Sequence, residues 1–443
     1  MDAKKVREAF ERGAAKAAAK QGRAERVMAP ILHGDVPTFI EAPAASSPAE
    51  LEGAGVAILG IPFEGVKLLD PATYAPAGAA PAPDGSIYYR SGADAGPDAI
   101  RRHSVFYSLR HGRGFVPEAD PDLVILDHLR VVDYGNVAVV PEDVEETFLR
   151  AHAKLADILA AGAVPIVFGG DHAIPIPVLQ VLAGKLNGKL GVVVFDSHFD
   201  MSYEPKYWAG SQWARAFDLG VVEPENFVQI GLRGGRESLA DKAVAEELGY
   251  RYYTMADIDE LGIATVAQEA LETASAGTEA LYVSLDIDVV DPAHGGQKYP
   301  DPAGLSAREL IRALRVIARG PVAGFDICCL APRYDLQGHL SQLAARAALE
   351  VIAGLALQRP CGFEARRLSQ WPRRARSQEH HSASPSAATP SARAPDLAAA
   401  SVRLEFDPFP ATRCLPFWRH RRSSYLRLER RWRCHCQKVA TGG

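Results

Sequence analysis

Cysteine is scarce in this chain: six occur among 443 residues, without the even spacing of a disulfide framework. Cys328 and Cys329 are adjacent inside an apolar run, which reads as reduced thiols and a cytoplasmic setting. No apolar run approaches the roughly 18 residues that span a bilayer, so a membrane role is not expected. The N-terminus lacks the short apolar stretch of a secretory signal. Its first segment carries Asp2, Glu8 and Glu11, unlike an acid-poor transit peptide. No internal repeat is evident.

What is present is ordinary for a globular protein. The hydrophobic fraction of 47% is enough for a sizeable core. The net charge of -5 conceals an asymmetry, because residues 358–443 alone carry about +11. That tail is Arg-rich with Ser/Ala/Pro low complexity, and it reads as disordered. Cys434-His435-Cys436 lacks the second ligand pair of a zinc site. A nucleic-acid role rests on this tail alone and is the weakest reading.

Three regions follow. Residues 1–54 form an extension, with a helix expected over 1–30 and an irregular lead-in. Residues 55–357 form the main domain, and 358–443 the tail. In the main domain, apolar strand candidates (55–62, 128–135, 164–172, 189–200, 226–234, 280–292 and 322–332) alternate with helix candidates (141–162, 172–186, 306–318 and 339–357). Such alternation predicts a mainly parallel sheet covered on both faces. Residues 68–87, rich in Pro, Ala and Gly, read as an inserted loop.

Three strand ends carry metal-capable side chains. Asp196-Ser197-His198-Phe199-Asp200 closes one strand, Asp286-Ile287-Asp288 a second, and Gly169-Gly170-Asp171-His172 a third. A lone DxD or GGDH is commonly a turn or capping group. All three at strand ends converge on one edge of the sheet, where parallel sheets place their sites. Imidazole and carboxylate donors suit Mn, Fe, Co, Ni or Zn without thiols. Asp196, Asp200, Asp286 and Asp288 bring four negative charges, which two divalent cations balance. A bridging hydroxide then leaves the site near -1, so it repels a phosphate monoester and welcomes a cationic substrate.

At this point the residues resemble the ureohydrolase family of arginases, agmatinases and related guanidino-compound hydrolases. GGDH (169–172), DxHxD (196–200) and SxDxDxxDP (284–292) stand in family order, and "RSGADAGPDAIR" (90–101) resembles its substrate-side signature. The likeness covers about 55–357. It implies a three-layer α/β/α fold with an eight-stranded mainly parallel sheet. It implies two divalent metal ions, usually Mn2+ and in some branches Ni2+. One would be held by His172, Asp196, Asp200 and Asp286. The other would be held by Asp196, His198, Asp286 and Asp288. By the same resemblance a metal-bridging hydroxide attacks the guanidinium carbon, Asp200 passes the proton to the leaving amine, and urea and an amine leave. Trimers or hexamers are implied as well.

Three departures stand out. Ala209 replaces the usual His, Cys329 the usual Glu that pairs with the guanidinium, and Asp301 a common Glu. Losing that carboxylate removes a charge-assisted contact of roughly 1.5–3 kcal/mol. Trp208 and Trp213 flank Ala209 and could receive a cation on their faces, or simply pack in the core. The expectation is therefore an agmatinase-like, dinuclear-metal hydrolase of a linear amidine or guanidino compound, with Trp208, Trp213, Asp301 and Cys329 on the substrate side. The alternative is a weak or inactive subunit in a hetero-oligomer with an active paralogue. A single-zinc deacetylase on a related fold has no use for Asp200 and Asp288 together.

Overall fold

The structure is a computed structural model. It describes residues 3–21, 31–65, 92–140, 143–186, 188–203, 207–235 and 239–359. The inserted loop expected at 68–87 and nearly all of the tail lie outside these.

Ten strands occur among the described residues. Leu32–His33 (β1) and Val36–Pro37 (β2) make a small antiparallel pair. The others are Val56–Ile61 (β3), Val131–Asn136 (β4), Val164–Gly169 (β5), Leu190–Phe195 (β6), Phe227–Leu232 (β7), Arg251–Thr254 (β8), Ala280–Asp286 (β9) and Val322–Cys328 (β10). They form one eight-stranded sheet in the order β4-β3-β5-β10-β9-β6-β7-β8, with every pairing parallel. β3, β6, β7 and β9 are buried along their whole length, which is why they read as unbroken apolar runs.

Alternate residues of each strand face opposite layers. In β6, Val193 and Phe195 join one cluster with helices Ile263–Ser275, Ala307–Ile317 and His339–Leu357. Val192 and Val194 join the other, with helices Val144–Ala160, Pro175–Lys185 and Gln212–Asp218. The result is the three-layer α/β/α arrangement. Helix starts are marked locally. The Asp143 side chain accepts from the Glu146 amide, and Ser306 with Glu309 forms a reciprocal capping box.

Helix His339–Leu357 has the bounds expected from the sequence. By length and composition alone it could cross a membrane, with a mean hydropathy of 1.4, although Gln342, Arg346 and Glu350 break its apolar run. In the fold 83% of that stretch is buried, so its apolar character is that of a core helix. Arg315 and Arg346 hold the buried Glu350 carboxylate.

β4 is locked to helix Gly96–Ser104 by a buried ion pair. Arg101 Nε and Nη2 donate to the two Asp133 oxygens at 2.8 and 2.9 Å. Asp133 also accepts from the Phe39 and Gly135 amides. Burial alone would raise the Asp133 carboxyl, but Arg101 and these amides hold it below its usual value. Asp133→Asn removes the buried charge partner of Arg101 and leaves only the exposed Asp98, 3.8 Å away, with the neutral oxygens of Asn136 and Gly135. We expect it to cost about 3–5 kcal/mol, read as a large drop in Tm, whereas an unchanged Tm contradicts the assignment.

Candidate metal centre

β5, β10, β9 and β6 are neighbours, so their carboxyl ends line one stretch of the sheet edge. β5 runs into Asp171 and His172 through Gly170. A Cβ at Gly170 would lie 1.8 Å from the Phe63 carbonyl oxygen, so only glycine permits this turn. β6 ends at Phe195 and releases Asp196, His198 and Asp200. Asp200 has a left-handed backbone (φ 49°), a conformation tolerated by Asp that turns its carboxylate back to the cluster. β9 ends at Asp286, whose carboxylate accepts from the Asp288 amide at 2.9 Å and fixes the turn.

The six side chains meet at one place. His172 Nδ1 stands 3.0 Å from Asp196 Oδ2, 3.1 Å from Asp200 Oδ2 and 3.3 Å from Asp286 Oδ2. His198 Nδ1 stands 3.4 Å from Asp196 Oδ1 and 3.3 Å from Asp288 Oδ2. Two donor sets result, His172/Asp196/Asp200 and Asp196/His198/Asp288, sharing Asp196. Asp286 lies against the first set and is joined to Asp288 through the amide just described.

One ring nitrogen has at most one proton to give, and three carboxylates surround Nδ1 of His172. Asp196 Oδ2 and Asp288 Oδ2 are buried and accept no well-directed hydrogen bond, although ring nitrogens stand close to both. Lone pairs converging without protons are what divalent cations require. The opposite ring nitrogen of His172 faces Ser284 Oγ at 3.0 Å, and Ser284 donates onward to Asp326. This chain places the ring proton on Nε2 and leaves Nδ1 for a cation. The residues fit a pair of divalent cations.

The electrostatics agree. Burial and the charges of neighbouring Asp288 and Asp196 push Asp286 well above the usual carboxyl range. Burial and the charges of Asp200 and Asp288 raise Asp196. Burial opposes ionisation of Asp200 and Asp288 too, but there the two imidazoles prevail. His172 with His198 lowers Asp200, and His198 with Ser197 holds Asp288 down to about 2. The imidazoles respond in kind. Burial would lower both, yet the facing carboxylates carry them well above 6.5. Burial and mutual repulsion therefore oppose ionisation of Asp196 and Asp286 in particular.

The cluster opens on the side of Asp200 and His198, whose side chains are 19% and 16% exposed. Gln212 lies beside this opening. Its Nε2 donates to Asp200 Oδ2 at 2.5 Å, and its Oε1 accepts from the Gly210 amide. A neutral amide beginning a short helix carries no signal in the sequence.

The expected substrate-side residues are placed less uniformly. Cys329 closes β10 between the His172 and Asp286 strands, with φ 63°. Its thiol donates to Asp286 and is pushed well up by burial and the Asp286 charge, so it is no nucleophile. Trp213 is fully buried, its ring perpendicular to that of His172 with centroids 5.5 Å apart and packed against Phe227, so it is closed to a cation from solvent. That placement favours the packing role. Trp208 is half-buried with its ring over Gly210, and Ala209 between them is buried. The Asp301 carboxylate turns towards Gly234, and no described contact joins it to the six ligands. Lys298, unforeseen from the sequence, is fully buried with Nζ 3.3 Å from Glu64 and 3.9 Å from Asp171. Burial disfavours its charge, yet the facing Asp171 holds its pKa above the usual lysine value. Its main-chain amide donates to the Cys329 carbonyl.

The profile of the Arginase family matches residues 54–354. The chain belongs to the arginase family. It is 32% identical to proclavaminate amidinohydrolase of Streptomyces clavuligerus over 324 residues, covering 72% of this chain and 93% of that one. It is 31% identical to guanidinopropionase of Pseudomonas aeruginosa over 330 residues, covering 72% and 92%. The solved structure of the Streptomyces clavuligerus amidinohydrolase superposes with a TM-score of 0.61 at 30% identity, covering 73% of this chain and 98% of that one.

Arginase-family membership and the donor geometry give a direct expectation for metal removal. Exhaustive chelation is expected to lower Tm, because cations bound to the folded state alone stabilise it by about 4 kcal/mol per site at a thousandfold excess over Kd. Mn2+ should restore it, and Asp196→Ala should abolish the restoration. A Tm indifferent to both contradicts the assignment.

Proposed function

We propose that this chain hydrolyses a C–N bond of a linear amidine or guanidino compound, agmatinase-like, releasing urea and an amine. The observation that carries this is the pair of donor sets sharing Asp196 at the sheet edge. The relatives support it, since an amidinohydrolase and a guanidinopropionase both act on such groups. Oxygen and nitrogen donors without a thiol ligand suit Mn2+, with Ni2+ the second choice. Two such ions supply a water acidified towards neutrality and a counter-charge for the developing transition state.

The chain's own residues do the rest. Asp196 and Asp286 would hold the ions from between the two sets, and His172, Asp200, His198 and Asp288 would complete the centre. Asp200 is kept ionised, lies at the open side and is oriented by the Gln212 amide. It is therefore placed to take the proton of the attacking water and return it to the leaving nitrogen. Buried Trp213 braces His172 and keeps water from behind the cluster. A trimer or hexamer and a cytoplasmic setting go with this reading, the latter because Cys328 and Cys329 are free and buried.

A second reading is favoured by the substrate side. Ala209 and Cys329 supply no charged group there, and Lys298 adds a buried cation beside Cys329. A site so altered also suits a weakly active subunit paired with an active paralogue.

Urea release from a panel of guanidino compounds, with Mn2+ and Ni2+ loaded separately, tests the first reading. We expect turnover of at least one compound, with Asp200→Asn lowering kcat by about 10²–10⁴-fold while both metals remain bound. No urea from metal-replete protein overturns it. The double variant Ala209→His with Cys329→Glu should raise kcat/KM for agmatine by about 10–100-fold if only the clamp was lost. Gain from a silent parent would favour the second reading.

A further inference from the structure

Arg233 follows β7 and spends its side chain on main-chain carbonyls. Nε donates to Asp301 O and Pro302 O, both at 3.1 Å. Nη1 donates to Gly231 O at 3.3 Å and Val289 O at 3.1 Å. Nη2 donates to Asp288 O at 2.7 Å, Asp301 O at 2.8 Å and Val290 O at 3.4 Å. One planar guanidinium thus ties together two segments that are distant in sequence. The first is the exit of β9, which carries Asp288. The second is the far end of the loop that leaves it.

The middle of that loop returns to the metal centre. The Tyr299 ring stands edge-on to the His198 imidazole, with centroids 5.7 Å apart and planes at 78°. Gln297 Nε2 donates to the Val290 and Asp291 carbonyls and closes the loop further. The surroundings are shaped around the guanidinium. A Cβ at Gly304 would come within 2.6 Å of Arg233 Nη2, and one at Gly231 within 2.4 Å of Val289. The fork therefore fixes the start of the loop, where Asp288 projects, and its end, which sets how Tyr299 meets His198.

We propose that Arg233 is a positioning residue for the second cation: it holds Asp288 and His198 in register as ligands while touching neither cation nor substrate. The proposal rests on the two-cation reading above. It assigns Arg233 to one donor set, Asp196/His198/Asp288, because its guanidinium holds the backbone of Asp288 and the end of the loop whose Tyr299 meets His198, while no described side-chain contact of Arg233 reaches His172 or Asp200. Lysine cannot substitute. Its donors radiate from one nitrogen and cannot span both segments, whereas arginine presents five in a rigid fork.

The test is Mn2+ titration of metal-free wild type, Arg233→Lys and Tyr299→Ala, with site counting, electron paramagnetic resonance and Tm. Wild type should bind two Mn2+ per chain and give the spectrum of a coupled pair. Arg233→Lys should keep the first site and bind the second roughly 10–100-fold more weakly, giving an uncoupled spectrum at one equivalent bound. Tyr299→Ala, with the clamp intact, should weaken the same site by less. Wild-type affinity and coupling in Arg233→Lys overturn the proposal. Equal loss at both sites, or a chain that fails to fold, overturns it in favour of a merely architectural arginine. Wild type binding fewer than two cations overturns the two-cation reading first, and this proposal with it.

Discussion

Four carboxylates, three of them buried and Asp200 at the open side, stand within reach of two imidazoles and set the terms for this molecule. Burial penalises each negative charge, and mutual repulsion penalises them again. The chain relieves this only in part. His172 and His198 keep Asp200 and Asp288 ionised, while Asp196 and Asp286, in the middle, are driven towards the protonated form. Added positive charge at the centre would relieve that repulsion. The sheet brings three strand ends, those of β5, β6 and β9, to one edge and so gathers the six side chains.

That constraint explains what was legible in the sequence. A strand buried on both faces must read as an apolar run, and ligands at its end must follow that run directly. β5, β6 and β9 show this pattern without ambiguity, so the fold class could be read, and so could the six residues that the fold brings together. β8 could not. It is a sheet-edge strand of four residues, Arg251–Thr254, half exposed and mixed in character. Helix Ile263–Ser275 escaped for another reason. Its buried face is mostly alanine (Ala267, Ala270 and Ala274), which contrasts weakly with its polar side.

Residues around the cluster were also silent. Arg233 and Lys298 meet partners distant in sequence, main-chain carbonyls for Arg233 and the Glu64 and Asp171 carboxylates for Lys298, which no residue pattern advertises. Trp213 shows the reverse error. A tryptophan beside a substrate-site position invites a cation–π role, yet packing consumed its ring. On the substrate side, the thiol of Cys329 stands next to Asp286 with the Lys298 cation behind it. The six candidate ligand positions keep the pattern that the resemblance implies, whereas Ala209 and Cys329 depart from it.

The central claim is that this carboxylate cluster is a dinuclear cation site. Anomalous diffraction at the manganese edge, from crystals grown with Mn2+, measures it most directly. The account predicts two peaks roughly 3.5–4 Å apart, both bounded by Asp196 and Asp286, with His172 and Asp200 on one and His198 and Asp288 on the other. A single peak, or none with the six side chains otherwise in place, would contradict it.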